Sequence, residues 1–398
     1  MAVSDRMKIL IAGGGIAGLT AALCLAQDGH RVSIFEQASE LSEVGAGLQI
    51  SPNGMHVLNA LGLGEAVVSA GFEPEEIELR FGKSGQVIFN VPLADQSVER
   101  WGAPYIHIHR ADLLDVLIAA ASDCENITIR TGFPVRRLTR SDDAVTVHSD
   151  SEAVSGDLLI GADGIHSVVR EALLGPDTPR FTGCVAWRGV IETAKLGSLR
   201  PPPTACAWVG QGAHMVSYYL RGGALVNLVG VVERDAWRTE SWTEGGSKAA
   251  FLKDFEGWDP TLINLIENGD RFFRWALFDR NPLSHWVDDR VALMGDACHP
   301  MLPFVAQGAV MAIEDAYVLA RSLREASDIA EGLQSYQAAR HARTARVQAQ
   351  SRQNAQTFHH RNPLKRLTTY GPMWLAGHAM PEVVHKRLDW IYGHDVTA

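Results

Sequence analysis

The stretch from Lys8 to Glu36 constrains the fold more than any other part of the chain. Lys8-Ile9-Leu10-Ile11-Ala12 is a short apolar run with β-branched residues, the pattern of a buried parallel strand. It runs directly into Gly13-Gly14-Gly15-Ile16-Ala17-Gly18, a G-x-G-x-x-G loop, and residues 20–26 continue as an Ala/Leu-rich helix. Gly29-His30 closes that helix, and Arg31-Val32-Ser33-Ile34-Phe35 forms a second strand that ends in Glu36. Gly13 permits the tight turn, Gly15 lets backbone N–H groups approach a pyrophosphate, and Gly18 lets helix and strand pack closely. The helix N-terminus turns a positive dipole end toward the phosphates. Glu36 follows Gly18 by 18 residues, where a carboxylate can accept both hydroxyls of an adenosine ribose and disfavours a 2′-phosphate. Strand, loop, helix, strand and acid in register mark a dinucleotide site, without choosing between NAD and FAD.

Composition sets the outer bounds. The 398 residues, 46% hydrophobic and 21% charged, suit a soluble globular protein of two to three domains. A formal charge of −10 repels phosphate backbones, so no nucleic-acid partner is expected. The five cysteines, Cys24, Cys124, Cys184, Cys206 and Cys298, are scattered and include no C-x-x-C pair. Neither a disulfide framework nor a metal site is expected, and a reducing compartment fits. Residues 1–8 lack the apolar run of a signal peptide, and four glycines interrupt the apolar stretch 9–26. No membrane association is expected, and the expected location is cytoplasmic.

Beyond the fingerprint, 45–54 reads as a second glycine-rich loop before a helix at 55–61. Strands are expected at 77–91 around a Gly82-Lys83-Ser84-Gly85 turn, at 106–110 ahead of a helix from 111 to 122, and as a pair within 135–147. Residues 157–160 form a buried strand ending in Gly161-Ala162-Asp163-Gly164, and 290–296 a third ending in Gly295-Asp296. Strands at 185–191, 205–209, 214–220 and 224–231, with helices at 249–255 and 262–269, make a mixed segment. It carries six of the ten tryptophans, which either pack a sheet's own face or roof an aromatic ligand. A helix is expected over 308–324. The polar stretch 330–360, with Arg340, Arg343, Arg346 and Arg352, reads as a solvated helix packing across the domain rather than as a nucleic-acid face.

Three motifs thus stand in order: Gly13-x-Gly15-x-x-Gly18 with Glu36, the run Gly161-Ala162-Asp163-Gly164 through Arg170, and Gly295-Asp296-Ala297-Cys298-His299-Pro300. The set resembles the single-component FAD-dependent aromatic hydroxylases, and within them the salicylate, 3-hydroxybenzoate and 6-hydroxynicotinate subgroup. Residues 301–315 and the tail 390–395 share the resemblance, which covers essentially the whole chain. It implies an α/β fold with a Rossmann-like FAD-binding domain of the glutathione-reductase type, made of 1–75, 100–178 and 280–325. A β-sheet-rich substrate domain, 76–99 and 179–279, would be interleaved with it, followed by a helical segment, 326–398.

The resemblance also assigns residues. Gly13, Gly15, Ile16, Ala17, Gly18, Glu36 and Gln37 would hold the ADP half of FAD, with Val135 nearby. Arg110, Asp163, Gly164 and Asp296 would hold its phosphate and ribityl parts. Gly47, Gln49, Pro303, Gln307, Gly308 and Ala309 would flank the flavin ring, where a helix opening at Gly308 can stabilise negative charge. Two departures stand out: Val44-Gly45-Ala46-Gly47 replaces a loop that often carries arginine, and Phe304 replaces a histidine of the hydroxypyridine-type relatives. Phe304 suggests a more apolar ring pocket.

The implied reaction is hydroxylation of a small aromatic, a phenolic acid such as salicylate or a hydroxybenzoate, through a flavin C4a-hydroperoxide formed from O2. Attack is easier on an ionised phenol, so a base is expected beside its hydroxyl. His214 and Tyr218, at i and i+4 of one strand, share a face and are the catalytic candidates. They would also bind substrate, with Pro303 and Phe304. Arg188, Arg221 and Tyr219 are candidate anchors for a carboxylate. Only one dinucleotide fingerprint is present, so NADH or NADPH is expected to bind transiently on the FAD scaffold. The oligomeric expectation is a monomer or homodimer. An epoxidase, a quinone or polyketide hydroxylase, and a non-catalytic FAD-binding redox module are the competing readings.

Overall fold

The computed structural model describes residues 6–41, 46–234 and 245–398. At its centre the strand Lys8–Ala12 lies between Arg31–Phe35 and Leu158–Gly161, parallel to both. Ile127–Arg130 extends this sheet on one side and Val291–Leu293 on the other, again in parallel, with the short antiparallel strand Val287–Asp288 at the edge. Ile9, Leu10 and Ile11 are fully buried. The helix Ile16–Gln27 and a three-stranded antiparallel sheet of Arg137–Arg140, Val145–His148 and Ala153–Gly156 both pack against Lys8–Ala12, and strands covered on both faces read as unbroken apolar runs. Ala12 pairs with Gly161 and Gly161 with Leu293. The three glycine-bearing motifs, far apart in sequence, therefore leave adjacent parallel strands at the same carboxyl edge, where ligands of open α/β sheets bind.

An eight-stranded sheet forms the second layer. Its order is Gly245–Gly246, Phe272–Asp279, Arg180–Glu192, Leu225–Glu233, Ala213–Leu220, Ala205–Val209, Glu76–Phe81 and Val87–Pro92. Every pairing is antiparallel except that of Ala205–Val209 with Glu76–Phe81. The helices Lys248–Asp254 and Pro260–Asn268 lie beside a cluster of Trp187, Trp208, Phe251, Phe255 and Trp258. Trp187 stacks on Phe251 at 4.9 Å. Those three tryptophans pack the sheet's own face, and Trp275 lines the cavity on the other. Trp237 and Trp242 lie outside the described residues.

Two segments differ from the expectation. Within the glycine-rich stretch 45–54, Gly47–Ile50 is a strand paired antiparallel with Ile106–His109, and the next helix begins at Pro52. Proline suits a first helical turn, whose N–H has no intrahelical partner. Residue 45 of that stretch, with 42–44 before it, is outside the described set.

The helix Ile329–Phe358 crosses the molecule with Arg346 exposed, as a solvated face requires, but with Arg340 buried and Arg343 and Arg352 only partly exposed. Arg340 is buried between Glu314 and Asp315, Arg343 pairs with Glu314, Arg346 lies over the Trp390 ring, and Arg352 pairs with Asp279. Composition alone cannot show this, because the partner carboxylates come from other elements.

Candidate active site

One cleft of about 1180 Å³ runs from the glycine loop to the eight-stranded sheet. That is ample for a dinucleotide plus a small ring, since pockets for drug-sized ligands measure about 300–1,000 Å³. At the nucleotide end the glycines have separate tasks. Gly13 has φ +103°, and a Cβ there would fall 2.4 Å from the Ala162 carbonyl oxygen. A Cβ on Gly18 would fall 2.0 Å from the Gly13 carbonyl oxygen. A Cβ on Gly15 would meet nothing within 4 Å, and Gly15 faces the cleft. Packing thus demands the first and the last glycine, whereas the middle one keeps a cradle open for a ligand approaching the helix N-terminus. Both oxygens of Glu36 accept backbone N–H bonds, from Gly14 at 2.9 Å and Ala38 at 2.8 Å, which fixes the carboxylate at the strand's end.

Ile16, Ala17, Gly164, Arg110 and Asp296 also line the cleft. Asp163 stands behind them and accepts the Val168 and Val169 N–H groups at 2.8 and 3.2 Å, holding the turn into the helix Val168–Leu174. Burial raises its pKa against these bonds. Asp296 lies deep in the cleft with many protein atoms near it, yet its side chain is exposed to the cleft's solvent. Its pKa is raised by burial, opposed by Arg110 and His299.

The other end is built from side chains. His214, Val216 and Tyr218 of the strand Ala213–Leu220 face the cleft, whereas Met215 and Tyr219 face the tryptophan cluster. His214 contacts Phe304 edge-on at 4.9 Å. Tyr218 lies 4.7 Å from His107, and a Cβ on Gly47 would strike the Tyr218 ring at 2.5 Å. Glycine at 47 is what lets that loop close over the tyrosine. Burial, reinforced by the neighbouring His359, drives the His214 pKa well below 6.5, so its imidazole is neutral at pH 7. Burial raises the Tyr218 pKa, opposed by Arg188, and keeps its hydroxyl protonated. Arg188 lines the cleft with its guanidinium 4.6 Å over Trp275. Ala306, at φ +53°, holds the turn between Phe304 and the helix Gly308–Glu325 in a left-handed conformation uncommon for a residue with a Cβ.

The FAD-binding-domain family profile matches residues 6–351. A 3-hydroxybenzoate 6-hydroxylase of Aquipseudomonas alcaligenes is 39% identical over 98% of both chains. A 6-hydroxynicotinate 3-monooxygenase of Pseudomonas fluorescens is 35% identical over 88% of this chain and 92% of its own. The structure of Klebsiella pneumoniae HpxO with FAD and uric acid superposes with a TM-score of 0.87, at 29% identity and 97% coverage of both chains. The chain belongs to the FAD-dependent aromatic hydroxylases. The open cradle at Gly15 and the cleft-facing Arg110 and Asp296 suit the flavin cofactor of this family.

Among the residues singled out in the sequence, the hydroxylase brings Gly15, Ile16, Ala17, Gly47, Gln49, Arg110, Gly164, His214, Tyr218, Asp296, Pro303, Phe304, Gly308 and Ala309 to one cavity wall. Gly13, Gly18, Glu36 and Asp163 stand behind that wall. Gln37 is exposed, and Val135 packs against the main core. The Gln307 side chain donates to Ser51 at 2.8 Å and accepts from Asn53 at 3.1 Å, leaving only its backbone for a ligand. Arg221 is tied to Asp112, and the Tyr219 hydroxyl donates to Pro201 O at 2.8 Å, so neither anchors a ligand. Sequence reasoning missed the C-terminal wall, where Pro372, Met373, Trp390 and Tyr392 line the cleft, and it missed His359. No spacing rule links these residues to His214.

Proposed function

We propose that this hydroxylase uses NADH or NADPH and O2 to hydroxylate a phenolic acid of the hydroxybenzoate type. The observation that carries the reading is the continuity of one cleft from the Gly15 cradle to the His214–Tyr218 face. The names of the curated relatives support the substrate class, and the edge of Phe304 beside His214 supports an apolar ring pocket. Gly15 and Asp296, which line the cleft at the carboxyl edge of the parallel sheet, would hold FAD, with Glu36 behind them at the end of the second strand for the adenosine ribose. FAD, once bound and reduced by the nicotinamide, supplies the oxygen chemistry. The parallel sheet with its flanking helices forms the FAD domain, the eight-stranded sheet is the substrate roof, and residues 326–398 close the cleft.

The chain's own part is orientation, exclusion of water and proton handling. Arg188 offers a guanidinium to the carboxylate. Tyr218, kept protonated by burial, donates to the ring hydroxyl. Neutral His214 accepts the phenolic proton and makes the ring a better nucleophile. Pro303, Phe304 and the turn at Ala306 hold the ring beneath the N-terminus of the helix Gly308–Glu325. The test is a screen of hydroxybenzoates, salicylate and hydroxypyridines for stimulated NAD(P)H oxidation, with product mass under labelled O2. Label entering the product from O2 is expected with a hydroxybenzoate. Oxidation of NAD(P)H that no phenolic acid stimulates overturns the reading.

A further inference from the structure

His214 does not stand alone. Its Nδ1 is 2.6 Å from Nε2 of His359, the residue that ends the helix Ile329–Phe358. Nδ1 of His359 lies 3.3 Å from Oε1 of Glu233, at the end of the strand Leu225–Glu233. The other oxygen of Glu233 accepts from Nε of Arg361 at 2.8 Å. The side chain of His359 is 2% exposed, that of Glu233 35% and that of Arg361 69%, so the series leads from the cleft to water. Backbone bonds hold it in place: Gly212 N donates to His359 O, and Glu233 N donates to Gly212 O. Phe304 and Phe358 flank His214. Glu233 and Arg361 are the charged groups that face the two rings.

We propose that His359 and Glu233 form a proton relay that sets the tautomer of His214 and carries the substrate's phenolic proton to solvent. The proposal rests on the functional reading above. An ionised Glu233 accepts from His359 Nδ1–H. A neutral His359 then has Nε2 as acceptor, which places the His214 proton on Nδ1 and leaves Nε2 with a lone pair for the cleft. When a phenol enters, its O–H bond breaks and an Nε2–H bond forms on His214. The Nδ1 proton of His214 passes to Nε2 of His359, and the Nδ1 proton of His359 passes to the Glu233 carboxylate. Glu233 releases it to water, and the phenolate stays in the cleft.

Burial argues for transit rather than storage. Both imidazoles are held below their ordinary pKa, His359 at about 4, so a charge parked on either ring is unfavourable. His359 and Glu233 act through His214 and are positioning residues.

The test uses the FAD-loaded enzyme and 3-hydroxy-4-nitrobenzoate, whose phenolate absorbs in the visible, mixed at a pH below the probe's own pKa. His359→Gln keeps an acceptor for His214 Nδ1–H and a donor for Glu233, but it cannot pass a proton along. Glu233→Gln, at the half-exposed end, removes the final acceptor and leaves both rings in place. Both variants are expected to slow phenolate formation and kcat roughly tenfold or more while ligand Kd stays within about threefold. A purely structural His359 predicts wild-type rates in His359→Gln. Unaltered rates in both variants overturn the relay and leave hydroxylation standing. If His359→Gln does not retain FAD, Glu233→Gln decides alone. A wild-type enzyme that consumes NAD(P)H without stimulation by any phenolic acid overturns the functional reading, and the relay with it.

Discussion

The two ends of the cleft are built by different means. At the nucleotide end the shape is backbone: Gly13 and Gly18 pack against carbonyls, Gly15 stays open, and the polar contacts of Glu36 and Asp163 are to main-chain N–H groups. At the ring end the shape is side chain: His214, Tyr218, Phe304 and His359 arrive from a strand, a short 3₁₀ turn and a helix end. A backbone site is specified by local residue type, because only glycine adopts or permits the geometry. A side-chain site is specified by which distant elements pack together. The first tolerates little substitution, and the second can be re-lined to suit another ring.

That contrast is tested most severely at Gly18. Gly18→Ala places a methyl 2.0 Å from the Gly13 carbonyl oxygen, against backbone that cannot give way. Soluble, FAD-loaded protein is expected to be lost, as read by expression yield and flavin absorbance. A well-folded Gly18→Ala variant breaks the claim that backbone packing defines this end. Next in size is Arg340, which joins Glu314 and Asp315, while Asp315 accepts from Gly295 N and contacts His299. Arg340→Met leaves buried carboxylates without that partner, and a cost of about 3–5 kcal/mol is expected in denaturant unfolding. Losses at both ends of the cleft are expected together, because this cluster lies under the Gly295–Ala297 turn and ties it to the helix that ends at His359.

Smaller, and more discriminating, is Gly15→Ala. Its added methyl meets no protein atom, so apoprotein stability should change by less than about 1 kcal/mol, mostly through chain entropy. FAD affinity should fall about tenfold or more, since the methyl occupies the cradle. Titration of apoprotein with FAD beside a thermal melt separates the two effects. A drop in apoprotein stability without a change in affinity reverses the assignment of Gly15.

The same contrast explains what could be read in advance. The strand at Lys8–Ala12, the glycine loop, Glu36 and the Gly-Asp ends of the two neighbouring strands were legible because each is a local pattern with a local cause. His214 and Tyr218 were legible as a same-face pair on one strand, through its period of two. Their partners were not. His359 lies 145 residues from His214, and only the tertiary packing of the helix end against the sheet brings the rings together. Arg340, Arg343 and Arg352 read as solvated for the same reason: Glu314, Asp315 and Asp279, which hold them, lie on other elements. Gln307 fell inside a ligand-binding stretch, but its amide answers to Ser51 and Asn53 on the opposite side.

The gentlest test compares how the two ends respond to acid. At the ring end burial lowers the pKa values of His107, to about 3, of His359, to about 4, and of His214. In the unfolded chain these groups take up protons near 6.5, so between about pH 6.5 and 4 the unfolded state binds more protons and stability falls as pH falls. At the nucleotide end the sign is opposite. Burial raises the pKa values of Asp163 and Asp296 above 3.8, so the unfolded chain loses those protons first as pH rises, and stability falls with rising pH just above 3.8. Each buried group can contribute up to about 1.4 kcal/mol per pH unit, and Asp296, exposed to the cleft, less. The histidine window reaches higher, and His30, His109 and His394, also lowered by burial, share it, so the ring end accounts for that part of the loss between pH 6.5 and 5 which its own histidines carry. His359→Gln should make a plot of melting temperature against pH shallower across that interval, with His107 and His214 supplying part of the remaining slope, and Asp163→Asn, which keeps an acceptor for Val168 and Val169, should leave it unchanged there. The reverse pattern places the acid-sensitive groups at the nucleotide end and removes the electrostatic half of the comparison.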